Sequence, residues 1–508
     1  MALNNVSFVL GKGGLGRPLP GQDYISGLAF YGSTLPSGFS TSNRIKQFFS
    51  VQDAVAAGIV SDYSDGTQAT ATFTVTVIGN SGDTATMNVA EPSGSITIGT
   101  YTKLSTDSTT TSVATGIANA INAGTQTHGY TATATAAVVT ITARKGLGIF
   151  LNSGTPLTAV YSTSATLAGT ITQFTGGVAS VFAVWNYHIT EYFRLQPQGN
   201  LYVGIFPIPT PYTFTEITTM QNFAKGSIRQ IGVFKDSSSA FSSGDLTLIH
   251  NICNANVAVH KELIALYAAD ISGTPDVSTL PNLSTLSANL VSAVISQDGG
   301  GLGNNLFLAT GKSVTTLGAL LGAVASAKVS QSIAWVANFN ISNGVECDNV
   351  AFANGVQFFN ASVTDSLLTT LQNNRYIFLR NFVGLAGSYF NENSTSISTT
   401  SDYAYIADNR VMQKATRGIY SSCVPALNSP ITLNGDGTLS DEAVAYFTGL
   451  AESSLIQMVR DGELSDFAVT VNTTQNIAST GLMIINVNLL QISTGRNIQV
   501  SIGYGVTV

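Results

Sequence analysis

Side chains capable of chemistry are sparse in this chain and seldom stand together. The histidines are His128, His188, His250 and His260, and the cysteines are Cys253, Cys347 and Cys423. His250, Cys253 and His260 share one neighbourhood and at first suggest metal ligation. His250 and Cys253 lie one turn apart on a predicted helix, but His260 falls past its end and no fourth ligand is in view. A helix-face histidine and a buried small thiol account for them better. Gly311-Lys312-Ser313 ends like a phosphate-binding loop, yet that loop needs glycine five residues before Gly311, where Leu306 stands. The cradle of backbone amides would not form without it. The opening Gly11-Lys12-Gly13-Gly14-Leu15-Gly16 has no strand–turn–helix setting and reads as a flexible tether. Asp436 between Gly435 and Gly437 mimics a calcium loop, but the other oxygen ligands are not supplied and a plain turn is expected. There is no Gly-x-Ser-x-Gly elbow and no Cys–His pair with an orienting acid. The expectation is a non-enzyme with no catalytic residues, no cofactor and no metal.

One constellation is more informative. Arg410, Lys414 and Arg417 stand at i, i+4 and i+7 on a helix predicted over 402–419, a basic stripe in an acidic chain. Such a stripe is either a solvated face or a docking surface. Tyr405, Ile406, Val411 and Ile419 occupy the other face and should pack inward.

The composition frames these residues. The chain has 508 residues, enough for two to four domains with real cores. It is 44% hydrophobic and only 10% charged, against a usual charged share of about a quarter. Ser, Thr, Asn, Gly and Ala fill the difference, and a surface so poor in charge is poorly protected against meeting copies of itself. A net charge of −7 and no polybasic run argue against direct nucleic-acid binding. Three dispersed cysteines suit a reducing cytoplasm rather than a disulfide framework. No signal peptide and no run of membrane-spanning length is read, so a soluble protein made inside a cell is expected, without membrane insertion.

The elements follow from periodicity. Residues 23–32 read as a buried strand and 45–57 as a helix. From about Gly66 to Ser180 the chain becomes a Thr/Ala/Ser/Gly stretch of short strands, as where Phe73, Val75 and Val77 alternate with Thr74 and Thr76. One helix interrupts them, with Val113, Ile117 and Ile121 at i, i+4 and i+8 and Gly124 as its stop. From about 201 to 390, apolar runs at 201–207, 228–234, 263–267, 333–336 and 376–382 alternate with helical stretches at 214–225, 245–254, 314–328 and 365–372. That alternation predicts helices packed on a sheet. Ser440 should cap a helix running to about Arg460, with Asp441 and Glu442 in its first turn. The predicted fold is a multidomain α+β protein. Its parts are an N-terminal strand arm and glycine-rich linker (1–22), an α/β core (23–65 with 181–395), an inserted β-rich domain (66–180), a C-terminal α+β assembly domain (396–480) and a C-terminal β-hairpin arm (481–508).

Both ends read as strands lacking partners. Asn5–Leu10, with Val6, Phe8 and Leu10, precedes the glycines. The closing runs 482–492 and 497–507 alternate around a Ser493-Thr494-Gly495 turn, with Ile484, Ile485, Val487 and Leu489 in the first and Ile498, Val500 and Ile502 in the second. A two-stranded ribbon is marginal alone and presents unpaired backbone groups, so pairing with other subunits is expected.

With LPGQDYISGLAFYG (19–32), DYAYIADNRVMQKATRGIYSSCVPAL (402–427) and the closing hairpin, the chain resembles the contractile tail sheath family of phages. The resemblance implies a homo-oligomer of stacked hexameric rings in a helical sheath, joined by strand exchange through the residues just named. Gly11, Gly13, Gly14 and Gly16 would be the hinge, and Arg410, Lys414 and Arg417 would face an inner tail tube protein. It further implies baseplate and tail terminator partners, assembly in the host cytoplasm, a place in the virion tail, and contraction that drives the tube through the host envelope. The alternative is a non-contractile virion or cell-surface structural or receptor-binding protein.

Overall fold

The computed structural model describes residues 22–163, 166–235, 240–502 and 504. The expected strand with Val6, Phe8 and Leu10, and the glycines at 11, 13, 14 and 16, lie outside the described residues. The chain divides into two compact units. The larger spans Tyr24–Ser326 and Ile333–Ala404; the smaller holds Asp23, Ala327–Ser332 and the chain from Tyr405 onward.

The larger unit is built on a seven-stranded sheet: β1 (Ile25–Tyr31), β2 (Ile45–Phe48), β3 (Asn200–Phe206), β4 (Gln230–Phe234), β5 (Ile264–Ala268), β6 (Val291–Val294) and β7 (Tyr376–Ile377). Their order is β7-β6-β5-β4-β1-β3-β2, with every neighbouring pair parallel except β3–β2. β1, β4 and β5 are buried at every position, as parallel strands covered on both faces must be. Three helices matter here: α1 (Val181–Leu195), α2 (Leu302–Thr310) and α3 (Leu317–Ser326).

α3 lies against α1 at backbone distance, and two glycines permit it. A Cβ on Gly318 would stand 2.2 Å from the His188 carbonyl oxygen, and one on Gly322 would stand 2.7 Å from that of Tyr192. Gly318→Val should therefore force the helices apart and lower stability by about 3 kcal/mol, measured by chemical denaturation. An unchanged midpoint would mean that α3 can shift freely.

Several expected elements are corrected. Residues 45–57 begin as edge strand β2 and become a helix only at Val51–Ala56, where Ser50 and Asp53 form a capping box. Residues 333–336 form turns rather than a strand, with Ile333 buried and Trp335 exposed. The 376–382 run splits into β7 and a strand Leu379–Phe382, which pairs with Leu385–Phe390. α1 is buried nearly all round, Trp185 and Tyr192 included, and carries the buried polar residues Asn186, His188 and Glu191.

Residues 69–174 form a hydrophobic cluster of their own inside this unit, centred on Phe73, Met87, Ile117, Tyr130 and Ile141. A four-stranded sheet (131–135, 138–142, 70–78 and 167–175) and a three-stranded sheet (94–102, 84–91 and 157–161) enclose the helix Thr110–Ala123. Buried Glu91 accepts Nε and Nη2 of Arg144 at 2.8 and 3.0 Å and the hydroxyl of Tyr130 at 2.8 Å.

The smaller unit contains α4 (Ile406–Cys423), α5 (Asp441–Arg460), β8 (Leu464–Val471) and β9 (Ile485–Gln491). Val411 and Ala415 of α4 meet Leu455 and Met458 of α5, with Val329 and Leu464 closing the cluster. Ser440 accepts a hydrogen bond from the Ala443 amide and so caps α5, whose first turn carries Asp441 and Glu442.

Candidate functional site

The C-terminal strands are the first functional candidates. β9 pairs antiparallel with β8, from Val471 opposite Ile485 to Leu464 opposite Gln491. The expected hairpin between 482–492 and 497–507 is thereby corrected: the first run takes its partner from the strand that follows α5. Burial explains the choice. Val487 and Leu489, with Phe467 and Val469, pack on the α4–α5 cluster, so this pairing removes apolar surface from water as well as satisfying the backbone. Ile485 is half-buried on the same alternation, whereas Ile484 lies just before the strand and is exposed.

The second run behaves differently. Ile498, Val500 and Ile502 are 88%, 78% and 95% exposed. Residues 492–502 have no strand partner among the described residues. Arg496 stacks its guanidinium 3.5 Å from the centre of the Tyr405 ring, which ties this segment to the start of α4. Because the β8–β9 sheet has two strands among the described residues, each keeps an outer edge open there.

The basic stripe is the second candidate, and its side chains are engaged within their own unit. Arg410 is 4% exposed and donates from Nη1 to the carbonyls of Ala327 and Lys328 and from Nη2 to that of Asp23. Lys414 bridges the carboxylates of Asp23 and Glu463 at 2.8 and 2.7 Å, and Arg417 reaches Asp23 at 2.7 Å. Arg410, Lys414 and Arg417 thus bind segments of their own unit. Burial drives Arg410 down to about 10. Burial also pushes Asp23 upward, but Lys414 and Arg417 overcome it and hold the carboxyl below its ordinary range. Asp23 and Glu463 were beyond sequence reasoning, since each lies far from the stripe along the chain.

A second charged cluster sits at the start of α2. Asp298 accepts from the amides of Gly300, Gly301, Asn304 and Cys347, and Glu346 from those of Leu302 and Gly303. Two carboxylates therefore serve the amides that open one helix. Burial raises Glu346 to about 7, helped by the neighbouring charges of Asp298 and Glu191 and opposed by the amide bonds. The sign follows from linkage. Between about 4.5 and 7 the folded protein keeps a proton that the unfolded chain has released, so stability falls as pH rises through that window. After allowance for solvent screening the loss should be about 1–2 kcal/mol, and Glu346→Gln should remove it. Denaturation midpoints at both ends of the window test this; equal slopes for the two proteins would refute it.

The remaining chemical motifs resolve into local structure. Gly311 ends α2 in the left-handed conformation, and buried Ser313 accepts the Ile271 amide at 2.9 Å and donates to the Ala353 carbonyl. Cys253 is fully buried, and its thiol is pushed up to about 12. Asp436 accepts the amide and hydroxyl of Thr438, closing a turn. Among the described residues no group of three or more His, Cys, Asp or Glu side chains could hold a metal ion. No helix among them is long and apolar enough to cross a membrane.

The chain belongs to the DUF2586 family: the family's N-terminal domain matches residues 3–394 and its C-terminal domain matches residues 402–508. No curated protein matches it. Among solved structures it is similar to a chain of the anti-feeding prophage baseplate, at 14% identity and a TM-score of 0.44, covering 63% of this chain and 80% of that one. It is also similar to the anti-feeding prophage helical sheath in the contracted state, at 16% identity and a TM-score of 0.44, covering 63% and 81%. A third is the sheath complex of an extracellular contractile injection system (PVC) in the contracted state, at 16% identity and a TM-score of 0.41, covering 63% and 80%.

Proposed function

We propose that this protein is a structural, non-catalytic subunit of a contractile tail sheath. It would polymerise by strand exchange into stacked hexameric rings around a tail tube, and repacking of those rings would drive the tube through a host envelope. The observation that carries the reading is the C-terminal run: Ile498, Val500 and Ile502 stand bare, and among the described residues the two-stranded β8–β9 sheet keeps its outer edges open. Magnitudes favour completion by another copy. Five added main-chain hydrogen bonds net roughly 3–7 kcal/mol, and each branched side chain taken from water adds about 1.5–3 kcal/mol. Association consumes part of this, but every joint of a polymer repeats it.

In this reading the segment with Val6, Phe8 and Leu10 is a second exchanged strand, and Gly11, Gly13, Gly14 and Gly16 let bodies turn while strands stay paired. Ile485, Val487 and Leu489 seat β9, which offers an edge to the incoming strand. Residues 66–180 form an inserted domain on the body. Baseplate, terminator and tube proteins are the partners, with assembly in the host cytoplasm and a final place in the virion tail. Electron microscopy of the concentrated full-length protein tests the reading. Tubes or stacked rings are expected; single particles at every concentration would reject it.

A further inference from the structure

The four-stranded sheet of residues 70–175 turns one face to its core and the other to solvent, and the solvent face is threonine in register. Thr131, Thr142, Thr70 and Thr175 stand side by side across the four strands. The next row is Thr133, Thr140, Thr72 and Thr172, and the third is Thr135, Val138, Thr74 and Thr170. Eleven of these twelve positions are therefore threonine, and all twelve are exposed or half-exposed. The intervening residues Ala71, Phe73, Val139 and Ile141 point into the core. None of the eleven hydroxyls has a hydrogen-bond partner among the described residues, whereas Thr76, just beyond the rows, donates to the Ala168 carbonyl. No charged residue lies in any of the four strands.

We propose that this face is a binding surface for a neutral polysaccharide chain. Each hydroxyl both donates and accepts, which matches a polymer of hydroxyls, and each γ-methyl offers an apolar spot for the C–H face of a sugar ring. Threonine is stiff at its first side-chain torsion, so the array is ordered before the ligand arrives and little entropy is lost on binding. Neutrality selects the ligand class: no ion must be desolvated, and there is nothing to hold a phosphate or a charged peptide. Neighbouring strands are about 4.8 Å apart, so one row spans about 14 Å and could follow a few linked sugars. The natural twist of the sheet suits one flexible chain rather than a flat crystalline face.

The proposal is independent of the sheath reading and is tested on the full-length protein. Retention is measured on immobilised cellulose, chitin, dextran and mannan for the wild type, for Thr72→Val/Thr140→Val/Thr172→Val, and for Thr86→Val/Thr100→Val. Valine keeps shape and strand propensity while removing the hydroxyl, and Thr86 and Thr100 pair with each other on the other sheet. Wild type and the double variant should be retained on at least one polymer, with a tenfold or greater loss in the triple variant at unchanged melting temperature. Equal retention of the triple variant, or no retention of the wild type on any of the four, would overturn the proposal. So would concentration-dependent self-association that the triple variant alone loses, which would make the face a contact between copies.

Discussion

Cutting the chain after Gln491 is expected to abolish assembly while leaving a folded monomer. The cut removes Ile498, Val500 and Ile502, which are almost fully exposed, and leaves β9 in register with β8. Little of the unit's own packing is lost, so the melting temperature should change by a few degrees at most. Intermolecular pairing should lose both its backbone ladder and its apolar side chains, a loss of several kcal/mol at each joint. A cut at Gly481 is a poorer test, because it would strip β8 of its partner and bare Phe467 and Val469. Sedimentation and electron microscopy read the outcome: polymers from the chain ending at 491 would show that the run is dispensable.

Arg410→Met should destabilise the protein by about 3–5 kcal/mol, the usual consequence of breaking a buried charged network by removing one member. The loss arises because the carbonyls of Ala327, Lys328 and Asp23 would be left without a donor that no water readily replaces. The effect should persist at high salt, since a buried network is weakly screened. Acid should have its own signature. Asp23 is held below its ordinary range, so its contribution is complete above about 3.8 and disappears as pH falls through its lower folded value. An Arg410→Met protein as stable as the wild type would return the stripe to the status of an ordinary surface.

Legibility in the sequence followed from the range over which each signal acts. β1, β3, β4 and β5 announce themselves as short apolar runs because burial on both faces leaves no polar alternation, and α5 is marked by Ser440 and its acidic first turn. α1 is hard to read because buried polar residues, Asn186, His188 and Glu191, interrupt its apolar run. The basic stripe was visible, but its meaning was not. Whether Arg410 faces solvent or clasps carbonyls depends on Asp23 and on residues 327–328, which only the tertiary fold brings to it. The C-terminal runs show the same division: their strand character is local, whereas the choice of β8 over the neighbouring run as partner rests on the α4–α5 cluster. Threonine alternation was plain along single strands, and only the register of four strands makes it a surface.

Hydrogen exchange resolved to single amides over residues 497–502, compared between dilute monomer and concentrated full-length protein, bears most directly on whether another copy completes this segment. Free exchange in the monomer and slowing at every second amide on assembly is the predicted result, since an added edge strand donates alternate amides to its neighbour. Identical exchange in the two samples, or full protection already present in the monomer, would contradict it.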